Sequence, residues 1–86
     1  VLKLISNKLK SIELELSYLE ELNLADNYEL ESIQIDKSNV ESININNNFN
    51  LKDIRLNWNQ IKEIHAHNTS KKLLDYLNSN NLDRLE

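Results

Sequence analysis

The chain of 86 residues contains no glycine, no proline, no cysteine and no methionine, and its aromatics are one tryptophan, three tyrosines and one phenylalanine. Each absence excludes something. Without cysteine there are no disulfides, no thiolate zinc sites and no cysteine nucleophile. Without glycine there is no glycine-rich loop to cradle a phosphate. Basic residues are in deficit, 10 against 14 acidic ones for a formal net charge of -4, so the basic surface that nucleic-acid binding requires is missing. Apolar runs are only a few residues long, too short to insert in a membrane as a spanning helix. What remains, 40% hydrophobic and 28% charged residues, suits one folded domain or part of one. Its turns must be built without the two usual turn residues. Asparagine, which tolerates left-handed backbone, is abundant enough to replace them.

The chain repeats itself. Residues 9 to 29 read LKSIELELSYLEELNLADNYE, residues 30 to 50 read LESIQIDKSNVESININNNFN, and residues 51 to 71 read LKDIRLNWNQIKEIHAHNTSK. Each block holds two half-units of the form L-x-x-I-x-L-x-x-N, with any aliphatic at L and I and with Ser or Thr replacing N at some copies. They begin at Leu9, Leu19, Leu30, Val40, Leu51 and Ile61. Leu2, Leu4 and Asn7 fit the tail of one more. Residues 1–8 therefore read as the remnant of a preceding repeat, 9–71 as three repeats, and 72–86 as a C-terminal cap.

Within a half-unit the fourth and sixth positions are apolar and the fifth is polar, as in Ile12-Glu13-Leu14 and Leu22-Asn23-Leu24. That is the strand period, one side buried and one wet. The predicted architecture is a mostly β repeat solenoid: a flattened coil with a short strand on each side, successive coils stacking in parallel at about 4.8 Å. Aliphatic side chains at equivalent positions then pile into one core that no single coil could bury. The spacing resembles the leucine-rich repeat family, in its short nested bacterial type with a 21-residue period. The half-units LEELNLADNYE, VESININNNFN and, less closely, IKEIHAHNTSK carry the resemblance.

Ninth-position residues Asn7, Asn27, Asn48 and Asn59 are expected to turn inward and bond backbone groups in their own coil and the next, with Ser17, Ser38 and Thr69 doing so less fully. Tyr28 and Phe49 hold the same repeat position and are expected to stack at one corner. Thr69 and Ser70 are good N-caps for an amphipathic helix over residues 71 to 79, with Leu73, Tyr76 and Leu77 on its inner face. Leu82 and Leu85 suggest a second small turn after Asn80 and Asn81. Val1 to Ile5 enter mid-repeat without a polar cap. We expect the chain to be the C-terminal piece of a longer repeat protein or to have that edge covered, and an uncovered edge invites self-association.

No nucleophile–base–acid set is visible, and acidic pairs such as Glu13 and Glu15 sit on a wet face where nothing desolvates them for acid–base work. The chain reads as a non-enzyme with no cofactor. His65 and His67, two apart on one predicted strand with Asn44 and Asn46 one coil below, could chelate a divalent ion. Without a matched set of ligands, they read better as solvent-facing strand residues. The even face aligns Asn23, Asn44 and His65 in one column and Ala25, Asn46 and His67 in a second, continued by Asp26, Asn47 and Asn68. The resemblance makes this the ligand-binding concave sheet, rich in amide donors and acceptors. The odd face aligns Glu13, Gln34 and Arg55, then Glu15, Asp36 and Asn57, with Trp58 beside them as hot-spot chemistry. The expected function is a protein-binding module using Asn23, Asn44, Asn46, His65, His67, Arg55, Asn57 and Trp58, its protein partner unidentified by sequence. A structural spacer or capping fragment, and a glycan-binding surface, are the competing readings.

Overall fold

A computed structural model describes residues 2–4, 8–15, 20–36, 39–56, 61–79 and 84–85. Eight short strands and one helix are formed by these residues. The strands are β1 (Leu2–Lys3), β2 (Ser11–Glu15), β3 (Glu21–Asn23), β4 (Ser32–Asp36), β5 (Ser42–Asn44), β6 (Asp53–Arg55), β7 (Glu63–His65) and β8 (Arg84–Leu85). The helix, α1, spans Lys71–Asn78. The strands from β1 to β7 alternate between two open parallel sheets, one ordered β1-β3-β5-β7-β8 and the other β2-β4-β6.

Register follows the sequence spacing. Ser11 stands beside Ser32 and Ser32 beside Asp53, each 21 residues on. Leu22 stands beside Ile43 and Ile43 beside Ile64 at the same offset. Equivalent positions are thereby superimposed, and the core lies between the sheets. The first, fourth and sixth positions of the half-units are buried in Leu30, Ile33 and Ile35, in Val40, Ile43 and Ile45, and in Ile61, Ile64 and Ala66. Each fully buried Leu or Ile contributes roughly 1.5–3 kcal/mol relative to exposure.

The turns leaving β3, β5 and β7 reveal how the chain dispenses with glycine. Asp26, Asn47 and Asn68 have φ of 65°, 63° and 59°. Each sits one residue before a ninth position, where asparagine and aspartate adopt left-handed backbone at lower cost than other non-glycine residues. The middle turn is closed by the Asn48 N–H donating to the Ile45 carbonyl at 3.3 Å.

Asn27 and Asn48 are both fully buried. The Asn27 Nδ2 group donates to the carbonyls of Leu24 at 2.8 Å and Leu4 at 3.0 Å. That of Asn48 donates to Ile45 at 2.8 Å and Leu24 at 2.9 Å. The inward turn is as expected, and the Nδ2 groups bond both their own coil and the preceding one. Thr69 makes the local bond, its hydroxyl donating to the Ala66 carbonyl at 3.1 Å. Asn7, Ser17, Ser38 and Asn59 lie outside the described residues. At the corner beyond, Tyr28 and Phe49 stack with ring centroids 5.7 Å apart and planes 17° apart.

The C-terminal end departs from expectation twice. Ser70 caps α1, its Oγ accepting from the Leu73 N–H at 3.2 Å, and Leu73 and Leu77 are buried. Tyr76, however, is 45% exposed, and Leu74 packs against the core in its place. A phenol keeps its hydroxyl in water more cheaply than inside, whereas leucine has no such demand. Leu85 belongs to no second turn: Arg84–Leu85 pairs parallel to β7, with Leu85 beside Ile64, again 21 residues apart. Leu82, Asn80 and Asn81 lie outside the described residues.

Candidate functional site

The register places Asn23, Asn44 and His65 side by side on the outer face of the five-stranded sheet, as the sequence predicts. The three are half-buried. In the neighbouring column Glu21, Ser42 and Glu63 are aligned in the same way. Between the two columns lies a shallow depression of about 190 Å³ lined by Glu21, Leu22, Asn23, Ser42, Asn44 and His65.

The side-chain oxygens of this face are already committed. Asn23 Oδ1 accepts from the Ala25 N–H at 3.0 Å, and Asn44 Oδ1 accepts from the Asn46 N–H at 2.9 Å. Both are local turns in which an asparagine caps the backbone two residues on. One layer further, Asn46 Oδ1 accepts from the His67 N–H at 2.7 Å. What these three asparagines still present is their NH₂ groups and the second lone pair of each oxygen. One lone pair of each oxygen is taken by the turns that follow β3, β5 and β7, which fixes how each amide is oriented. The face offers oriented amides, bordered by the carboxylates of Glu21 and Glu63.

His65 is held by one of those carboxylates: its Nε2 lies 2.7 Å from Glu63 Oε1, both side chains roughly 30% exposed. The imidazole orientation is thus set from within its own strand. His67 does not share that strand. It lies past the end of β7 in the turn that contains Asn68, and its side chain is exposed. Among the described residues no three His, Cys, Asp or Glu side chains gather as a metal site would require.

Asp26, Asn47 and Asn68 continue the face as a hydrogen-bonded ladder. Asn47 Nδ2 donates to Asp26 Oδ1 at 2.7 Å, and Asn68 Nδ2 donates to Asn47 Oδ1 at 2.8 Å. At the adjoining corner Asn50 Nδ2 donates to the Tyr28 carbonyl at 2.8 Å. Sequence spacing could have suggested this ladder, since the three residues share one repeat position, with asparagine able to donate through its NH₂ and accept through its oxygen while aspartate only accepts.

On the three-stranded sheet the columns Glu13–Gln34–Arg55 and Glu15–Asp36 are as expected. Arg55 is exposed and lies 3.7 Å from Asp53, an ion pair of little energetic weight at such exposure. Asn57 and Trp58 lie outside the described residues, so the hot-spot grouping with Arg55 has no geometry to report. In comparisons with known proteins, no family model, no curated protein and no solved structure matches this chain.

Proposed function

We propose that the chain is a non-catalytic protein-binding module, built as a solenoid of leucine-rich repeat type, whose binding face is the outer side of the five-stranded sheet. The observation that carries the reading is the polar column of Asn23, Asn44 and His65, aligned by strand register and oriented by internal hydrogen bonds. A ladder of this kind holds its donors at strand spacing before any partner arrives, so little side-chain entropy is lost on binding. The 21-residue offset from β2 onward supports the repeat reading, because equal coils stacked in parallel place each residue beside its equivalent. Partner chemistry follows from the face: carbonyl and hydroxyl acceptors over the column, with a cation where Glu21 lies.

The test uses the chain as bait with Asn44→Ala/His65→Ala and Arg55→Ala/Trp58→Ala as companions, all checked by circular dichroism. Capture of a defined partner that is lost with the first pair supports this face. Loss with the second pair alone moves the binding face to the three-stranded sheet, and capture equal in all three proteins overturns the reading.

A further inference from the structure

Past the turns that leave the five-stranded sheet, two large aromatic side chains face water. Of the seven aliphatic and aromatic residues in 30–50, six are buried, and Phe49 alone is 55% exposed. Its stacking partner Tyr28 is 45% exposed. Phe49 belongs to the middle of the three blocks, so it has a layer on either side and is still uncovered. One face of its ring meets Tyr28. On the other side the equivalent position is Ser70, which has no ring to continue the stack and whose Oγ caps α1. The Phe49 ring therefore keeps one face without an aromatic neighbour.

A polar depression begins at the residues that directly follow the two rings. It has a volume of about 330 Å³ and is lined by Lys10, Glu29, Glu31, Asn50 and Lys52. Asn50 is fixed there by its Nδ2 donating to the Tyr28 carbonyl at 2.8 Å, and its Oδ1 and second amide hydrogen remain to bind something else. Lys52 lies 3.5 Å from Glu31, and among the described residues no ion pair engages Lys10 or Glu29. Two lysines and two glutamates carry no net charge, so the depression selects neither a polyanion nor a polycation. It sets ammonium and amide donors beside carboxylate and amide acceptors, a set that hydroxyl groups satisfy because they donate and accept at once.

We infer that this corner binds a neutral polysaccharide of β-linked pyranose rings with equatorial hydroxyls, one ring resting its C–H face on Phe49 and the next holding its hydroxyls over the depression. The axial C–H bonds of such a ring carry slight positive charge and meet the negative face of the aromatic ring. An apolar peptide would cover Phe49 but leave the charged floor desolvated without partners, a loss that a rim of hydroxyls avoids. The site lies beyond the turn from the polar column, and the inference does not depend on that column binding anything.

The experiment titrates the full chain with cellohexaose, with sorbitol as a polyol that has no ring, and with acetyl-Ala-Phe-Ala-amide as an apolar peptide, following amide chemical shifts. Cellohexaose is expected to bind about tenfold or more tightly than either, with shifts concentrated on residues 28–31 and 49–52. Phe49→Ala, verified as folded by circular dichroism, should weaken cellohexaose about tenfold, and Phe49→Trp should keep its affinity. Asn50→Ala/Lys52→Ala should weaken it with the ring intact. Asn44→Ala/His65→Ala should leave it unchanged, which separates this site from the face proposed to bind protein. No shifts with cellohexaose, equal affinity for sorbitol, tighter binding of the peptide, or undiminished affinity in Phe49→Ala overturns the proposal.

Discussion

Substituting Asn48 separates two ways in which a buried amide can matter. Its Nδ2 donates at 2.8 and 2.9 Å to Ile45 and Leu24, with a longer 3.3 Å approach to Asn46. Each carbonyl has a second donor: Asn27 Nδ2 for Leu24, the Asn48 N–H for Ile45, and the Asp26 N–H for Asn46. Truncation to alanine therefore strands no carbonyl completely. It removes two good bonds at about 1 kcal/mol each, and an amide-sized cavity adds on the order of 1 kcal/mol. Asn48 Oδ1 is buried without a hydrogen-bond partner, so its removal returns about 1 kcal/mol. The net cost of Asn48→Ala is about 2 kcal/mol. Asn48→Asp keeps the shape but turns an acceptor toward two carbonyls. The new carboxyl must take up a proton to fit, which costs about 4 kcal/mol at pH 7 from a reference pKa near 3.9. Its pKa is raised in the folded state, so the variant is most stable below pH 4 and loses stability as pH rises. Urea unfolding followed by circular dichroism at pH 4.5 and 7 measures both. The Asn48→Asp deficit should shrink by about 3 kcal/mol at the lower pH, while the Asn48→Ala deficit stays nearly constant. A pH-independent deficit for Asn48→Asp, or one smaller at pH 7 than that of Asn48→Ala, would refute the donor role.

Three further outcomes are expected. Asn47→Ala should cost about 1–2 kcal/mol for its left-handed backbone, beyond the lost ladder bonds, and Asn47→Gly should recover the backbone part, as thermal melts of the pair would show. Leu30→Ala should cost about 2–5 kcal/mol, whereas Leu9→Ala, at the equivalent but partly exposed position, should cost about 1 kcal/mol; equal urea midpoints for the two would contradict the graded burial. Ser70→Ala removes the α1 cap and should cost about 1 kcal/mol, with a loss of helical signal at 222 nm preceding the main transition.

Much of the fold was legible because two periods coincide in the sequence. Alternation within half-units identified Ile33, Ile43 and Ile64 as inward, and the 21-residue spacing identified their strand partners. The Tyr28–Phe49 stack followed from the same spacing. Other features escaped because periodicity fixes where a side chain starts, not which atom it aims. Asn23 and Asn44 were placed on the right column, but that their oxygens cap Ala25 and Asn46 depends on the turn just beyond. On α1, Leu74 and Tyr76 flank Leu73 and Leu77 from opposite sides, and spacing alone does not say which flank meets the core. Strand β8 follows a helix, so the repeat that places Leu85 beside Ile64 is interrupted before it resumes.

The side-chain hydrogen bonds that join one 21-residue block to another have a direction. Asn27 to Leu4, Asn48 to Leu24, Asn47 to Asp26, Asn68 to Asn47, Asn50 to Tyr28 and the His67 N–H to Asn46 all run from the later residue to the earlier. In these side-chain bonds a block brings donors that its predecessor accepts, while among the backbone bonds several, such as the Asp26 N–H to the Asn46 carbonyl, run the other way. Blocks of this kind cannot be shuffled or joined tail to tail without leaving an inward amide facing the wrong neighbour. The side-chain ladder has a grain, and a chain that grows from its N-terminus finds these acceptors already laid down when the matching side-chain donors emerge.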